Sequence, residues 1–422
     1  MSISALAPSG SAEQDHSRLF ANPRATREPY PAPLRSIMNI ERAQECRRWL
    51  SAWPGIARQA TPLYDLPGIA QQLGIARFSV KDESVRSSLG SFKALGAPIA
   101  LVRQIVRLHP AFDPALILMG RYAQQLQDYT VISATDGNHG RGLAAAARDA
   151  GCRCVIVLHA NVSVEREQAI AVYGAQIVRI KGNYDDSVEE ASRLATVNGW
   201  QVVSDTSYDG YEDIPRDVMQ GYGTIAEEIV EQTGAQPGLA GAFTHVFLQG
   251  GVGGMAAGLV SYFWEFQGAQ RPTFIVVEPV QADCLLQSAI QGRPARATGS
   301  VDSVMAGLAC GETSMLAWKF LEPGVDYFMT IDDQQAIEAM RLLANGSNID
   351  IPIVAGESGT AGLAAMSVLR TDPALAQQVG IDAHSRVLMI NTEGATAPSV
   401  YEALVGQSAL TIAARQASWH AS

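Results

Sequence analysis

Cysteine is scarce, with five residues in a chain of 422. So low and odd a count excludes a disulfide framework and fits reduced thiols in a cytoplasm. Long apolar runs are missing too. None reaches the roughly 18 residues that a membrane span needs, and residues 1–30 lack the apolar centre of a secretory signal. Basic residues are outnumbered, 31 Lys and Arg against 42 Asp and Glu, for a net charge of −11. Such a surface repels phosphate backbones and anionic lipid, so neither nucleic acid nor a membrane is an expected partner. The seven histidines are scattered with no His-x-x-x-His pair, and Cys152 and Cys154 do not match a zinc knuckle, so no metal site is expected. Cys284 and Cys310 read as small buried hydrophobes. A Gly-x-Ser-x-Gly elbow is absent as well, although Gly356-Glu357-Ser358-Gly359 comes near one.

What the chain does have is 47% hydrophobic residues, enough for a sizeable core, arranged in alternation. Short β-branched runs at 76–81, 130–134, 152–159, 176–180, 201–204, 245–249, 274–277 and 386–390 predict strands. Alanine-rich amphipathic stretches at 92–107, 140–149, 163–173, 185–198, 217–232, 255–266, 333–345 and 360–369 predict helices between them. This is the pattern of an α/β protein with mostly parallel sheets flanked by helices. The expected layout is a flexible tail over 1–38, a large domain from 39–93 and 208–422, and a small α/β domain inserted at 94–207. Ligands of such open sheets lie at the C-terminal ends of strands, so motifs there carry the most weight.

Three motifs stand at such ends. In Ser91-Phe92-Lys93 the lysine falls at a predicted helix start, whose field disfavours the ammonium and suits an imine-forming nucleophile. A lysine snorkelling over the helix surface explains the same residue. Thr135-Asp136-Gly137-Asn138-His139 leaves a strand and opens a helix, where free N–H groups suit a carboxylate. Asp136 and Asn138 are equally ordinary capping residues, and a lone His139 is equally a packed one. Gln249-Gly250-Gly251-Val252-Gly253-Gly254 can turn several N–H groups towards a phosphate, or simply make a tight turn. It has neither the Gly-Lys-Ser/Thr of a nucleoside-triphosphate loop nor the spacing of a dinucleotide fold.

Taken in order, Thr61-Pro62-Leu63, Lys81-x-Glu83, Ser91-Phe92-Lys93, the Gly-Asn-His loop and the late glycine loop resemble the fold type II, or tryptophan-synthase-β-like, pyridoxal-phosphate enzymes. Within that group the chain is similar to the diaminopropionate ammonia-lyases. The resemblance rests on Asp136-Gly137-Asn138-His139-Gly140-Arg141-Gly142, Asp205-Thr206-Ser207-Tyr208, Met219-Gln220-Gly221-Tyr222, Met305-Ala306-Gly307-Leu308, Cys310-Gly311-Glu312 and Asn391-Thr392-Glu393-Gly394. It spans roughly residues 40–400.

The resemblance implies two open twisted sheets with the active site between the domains, a homodimer, and pyridoxal 5'-phosphate as cofactor. It makes Lys93 the lysine that carries the cofactor, with Phe92 beside it, and Asn138 the partner of the ring oxygen. Gly250, Gly251, Val252, Gly253 and Gly254 become the phosphate cup, and Thr392 the hydroxyl facing the pyridine nitrogen. Asp136 and Asp205 become catalytic acids and bases, Asp136 acting on the D-enantiomer. Ser91, Thr135, Asp136, His139 and Asp205 become substrate contacts. The implied reaction is elimination from 2,3-diaminopropionate to pyruvate and ammonia. Alternatives are a threonine/serine dehydratase or other β-substituted-alanine lyase of the same fold, and, in a different class, a non-catalytic phosphate-binding protein. Ala395 and Ala397 depart from the family, which often has aspartates there, and Val252 interrupts the glycines.

Overall fold

The computed structural model describes residues 18–421 apart from 136, 161, 183 and 209. Eleven strands are found among them: β1 (Leu19–Ala21), β2 (Leu63–Asp65), β3 (Arg77–Asp82), β4 (Thr130–Ala134), β5 (Arg153–Leu158), β6 (Gln176–Arg179), β7 (Gln201–Val202), β8 (His245–Gln249), β9 (Thr273–Pro279), β10 (Tyr327–Ile331) and β11 (Arg386–Asn391). They build a seven-stranded sheet in the order β1-β10-β9-β8-β11-β3-β2 and a four-stranded sheet in the order β6-β5-β4-β7. Only the two edge strands β1 and β2 run antiparallel to their neighbours. The centre of the large sheet is buried on both faces, which is why β8 and β11 read as continuous apolar runs.

All eight predicted strands are present, and three more are added. Tyr327–Ile331 is buried on both faces and so lacks the alternation that marks a strand. The stretch 18–38 was expected to be tail, yet its described part is anchored. Leu19, Phe20 and Ala21 pair with Met329, Phe328 and Tyr327, and Asn22 Nδ2 donates to the carbonyls of Glu322 and Val325 at 2.7 Å. An edge strand of three residues is too short for sequence periodicity to reveal.

The register of the large sheet sets up the site. β11 lies between β3 and β8, with Asn391 opposite Asp82, and Asn391 Nδ2 donates to Asp82 Oδ1 at 2.8 Å. The segments leaving β3, β11 and β8 therefore emerge side by side. Helix Asp213–Thr233 packs beneath them, starting earlier than predicted because Pro215 is tolerated in a first turn that needs no N–H partner. Buried charges pin it there. Lys81 Nζ lies 2.7 Å from Glu228 Oε2, Arg86 Nη1 2.6 Å from Glu228 Oε1, and Arg86 Nη2 2.7 Å from Glu83 Oε1. Removing one partner of such a network leaves an uncompensated buried charge, at a cost of about 3–5 kcal/mol.

Candidate active site

Lys93 sits in the 3-10 turn Phe92–Leu95 rather than in the first turn of the following helix. Gly96 interrupts the run and Pro98 has no N–H to bond back, so the regular helix begins at Ala97 (Ala97–Leu108). The turn is fixed to the end of β11. Ser91 bridges Glu393, and Phe92 N donates to the Thr392 carbonyl at 3.0 Å. From below, helix Asp213–Thr233 comes so close that a Cβ on Gly221 would lie 2.2 Å from the Leu95 carbonyl oxygen. The close approach puts the Tyr222 and Phe92 rings around the lysine, with Nζ 5.9 and 5.3 Å from their centroids.

The lysine is not a free amine here. Its Nζ lies 2.5 Å from Asp205 Oδ2, and the two side chains are 21% and 20% exposed. Burial works against the ammonium, but the Asp205 carboxylate outweighs it and carries the Lys93 pKa above its ordinary value. The reverse holds for Asp205, whose burial is outweighed by Lys93 and His139, leaving its pKa lowered. The expectation that a helix start would favour the neutral lysine is thus overturned by a carboxylate from another loop. His139 is buried and its Nε2 lies 2.9 Å from the Val203 carbonyl, which requires the proton on that nitrogen. Nδ1 is left without a hydrogen-bond partner, 3.7 Å from Asp205 Oδ2. Burial keeps the pKa of this imidazole low.

The glycine loop leaves β8 and opens helix Gly254–Gln267. Gly251 and Gly253 have φ of 60° and 99°, the left-handed region that side chains avoid. The loop is braced by Gly250 N to the Val277 carbonyl at 2.8 Å and by Ser314 N to the Val252 carbonyl at 3.0 Å. Ser207, two residues beyond Asp205, closes the circuit through Ser314, Oγ to Oγ at 2.8 Å. Across the cleft, Asn138 opens helix Asn138–Ala150, and Thr135 Oγ1 accepts from Gly137 N at 3.4 Å. Asn138 Nδ2 donates to Glu393 Oε2 at 2.6 Å. Thr392 is buried at the end of β11. Asp136 lies outside the described residues.

Residues 56–393 match the profile of the pyridoxal-phosphate dependent enzymes. The diaminopropionate ammonia-lyase of Salmonella typhimurium is 38% identical over 386 residues, covering 89% of this chain and 95% of that protein. The Escherichia coli K12 diaminopropionate ammonia-lyase is 36% identical, covering 84% and 89%. The chain belongs to the diaminopropionate ammonia-lyase family. A crystal structure of the Escherichia coli enzyme, in complex with an aminoacrylate-PLP azomethine reaction intermediate, superposes with a TM-score of 0.82 at 34% identity, over 92% of this chain and 97% of that one.

The cofactor of this lyase is pyridoxal 5'-phosphate, and the residues present fit it. An amine stands beside a pair of packed aromatic rings, a left-handed glycine cup opens a helix, and Ser91 Oγ is buried with no partner in the site. No helix among the described residues is long and apolar enough to cross a membrane. Some neighbours of the lyase site were not singled out from sequence. Tyr222 and Glu393 stood inside recognised motifs, but only the fold turns their side chains to the site. Cys310, expected to be buried, is half-buried, and a Cβ on Gly251 would lie 3.7 Å from its Sγ. Cys284 is buried as expected, and its thiol donates to Glu278 Oε1 at 3.6 Å.

Proposed function

We propose that this enzyme eliminates ammonia from 2,3-diaminopropionate and yields pyruvate and ammonia. The observation that carries the reading is the Lys93–Asp205 pair at 2.5 Å, in a chain 38% identical to a named diaminopropionate ammonia-lyase. When bound, pyridoxal phosphate supplies the electron sink for loss of the Cα proton. Lys93 would carry it, and Gly250, Gly251, Val252, Gly253 and Gly254 would hold its phosphate on backbone N–H groups. Asn138 would face the ring oxygen and Thr392 the pyridine nitrogen, with Phe92 beside the lysine. The Lys93 amine, when free, would take the Cα proton from one face. Asp136 takes it from the other face in the D-enantiomer.

Asp205 holds the β-amine as its ammonium by charge, so that it departs as neutral ammonia, or protonates it as it leaves. A diamine needs such a carboxylate where a hydroxy-amino acid does not, which favours this reading over a threonine or serine dehydratase. Ser91, Thr135 and His139 surround the substrate's α-carboxylate. Released aminoacrylate hydrolyses in water. The homodimer, the cytoplasmic location and the inserted domain at 94–207 belong to the same proposal.

Pyruvate release from D- and L-diaminopropionate, serine, threonine and β-chloroalanine tests it, with wild type beside Lys93→Ala. Diaminopropionate should be the preferred substrate, and the variant should lose both the borohydride-fixed cofactor and several orders of magnitude in rate. Preference for serine or threonine, or near-normal turnover by a folded Lys93→Ala protein, would overturn it.

A further inference from the structure

Glu393 lies two residues beyond the end of β11 and is 5% exposed. Its backbone belongs to the large sheet, bridging Ser91 and accepting from Gly356 N at 2.8 Å. One carboxylate oxygen, Oε1, accepts from Ser358 N at 3.3 Å. The other, Oε2, accepts from Asn138 Nδ2 at 2.6 Å and lies 3.5 Å from Thr396 Oγ1. Asn138 comes from the helix that follows β4 of the other sheet, so this one side chain spans the cleft.

A carboxylate can only accept, so the contact selects the nitrogen end of the Asn138 amide. The second N–H and the carbonyl oxygen are then left in fixed directions. A charge-assisted bond holds that orientation more firmly than a neutral one. Other charges face this carboxylate. Glu357, from the loop before helix Ala361–Thr371, is 4% exposed, and burial together with Glu393 pushes its pKa up to about 7. Arg166, from helix Val164–Ala171, pulls Glu357 back down, and burial together with Glu357 raises the Tyr401 pKa. Among the described residues, Lys93, Asp205, His139, Tyr222 and Cys310 are charged or titratable groups of the site itself.

We infer that Glu393 is a positioning residue for the cofactor: anchored on the large sheet, it orients the Asn138 carboxamide towards the cofactor's ring oxygen. The inference rests on the role given to Asn138 above. Losing the orientation weakens a hydrogen bond to the ring oxygen, and the protonation of the lysine–cofactor linkage responds to that oxygen's charge.

Holoenzymes of wild type, Glu393→Gln, Asn138→Ala and the double variant test it by absorbance against pH, with cofactor content, kcat and KM. Glutamine keeps the size and one acceptor, so the variant should fold and retain its cofactor. Its linkage pKa should move by about one unit, about a tenfold change in the ratio of protonated to unprotonated linkage, and kcat should fall more than KM rises. In the Asn138→Ala background the same change should shift the titration by less than about half as much. A variant that only melts at a lower temperature, with unaltered titration and kcat, would overturn the inference. So would a full shift without Asn138, which would mark a direct charge effect. If wild type itself carries no cofactor band, the reading of the cofactor site has failed and takes this inference with it. A normal wild type with an identical Glu393→Gln variant sinks the inference alone.

Discussion

Asp205→Asn should change two rates in opposite directions. The Asp205 carboxylate stands 2.5 Å from Lys93 Nζ and favours its ammonium form. Unit charges at that distance attract by about 7 kcal/mol at an effective dielectric of about 20. Both side chains are about one-fifth exposed, 21% and 20%, so solvent screens much of this. A surviving third, about 2 kcal/mol, still changes the free-amine fraction by about 30-fold. Burial, no longer opposed, acts in the same direction. Only the free amine can capture the cofactor's aldehyde, so loading at neutral pH should be about 30-fold faster in the variant. Elimination should be slower by about 100- to 10,000-fold, because Asn can neither hold the β-ammonium by charge nor return a proton. Stopped-flow absorbance on adding pyridoxal phosphate reads the first rate and pyruvate release the second. Loading no faster than wild type, with turnover within about twofold, would refute the reasoning on both counts.

Gly251→Asp places a side chain at φ 60° with its Cβ 3.2 Å from the Gly307 carbonyl oxygen. The backbone strain is about 1–2 kcal/mol, and the new carboxylate repels the phosphate, so cofactor affinity should fall at least about tenfold; unchanged affinity would put the phosphate elsewhere. Asp136→Asn keeps a capping side chain but no base, so elimination from D-diaminopropionate should fall about 100-fold or more while the L-enantiomer keeps most of its rate. Equal, small losses on both would remove Asp136 from the mechanism. Glu278 lies behind the glycine loop, and burial pushes its carboxyl from the ordinary 4.5 up to about 8. Below about 4.5 both folded and unfolded chains carry the proton; between about 4.5 and 8 only the folded chain does. Stability should therefore fall as pH rises through that window, by up to about 1.4 kcal/mol per unit, and Glu278→Gln should flatten the slope in urea titrations at several pH values. An equally steep slope in that variant would assign the effect to other groups.

The sequence by itself determined the α/β class and eight strands, because each is written locally, while the cofactor followed from the resemblance that its motifs carry together. Buried parallel strands need continuous apolar runs, helices between them need amphipathic ones, and a phosphate cup needs glycines at a strand end. The order of Thr61-Pro62-Leu63, Lys81-x-Glu83, Ser91-Phe92-Lys93, the Gly-Asn-His loop and the glycine loop, with the motifs from Asp136-Gly137 to Asn391-Thr392-Glu393-Gly394, was enough to recognise the family. What the tertiary structure decided was which groups meet. Lys93 and Asp205 lie more than a hundred residues apart, and nothing local says that the lysine is held as an ammonium; helix-start reasoning gave the opposite sign. Glu393 follows a strand of the large sheet and Asn138 one of the small sheet, and they meet where helix Asn138–Ala150 packs against the turn that carries Lys93. The short edge strand Leu19–Ala21 took its structure from β10, not from its own three residues. Periodicity reports the environment of one segment, whereas a pKa or a cross-cleft hydrogen bond depends on what several segments bring to the same few ångströms.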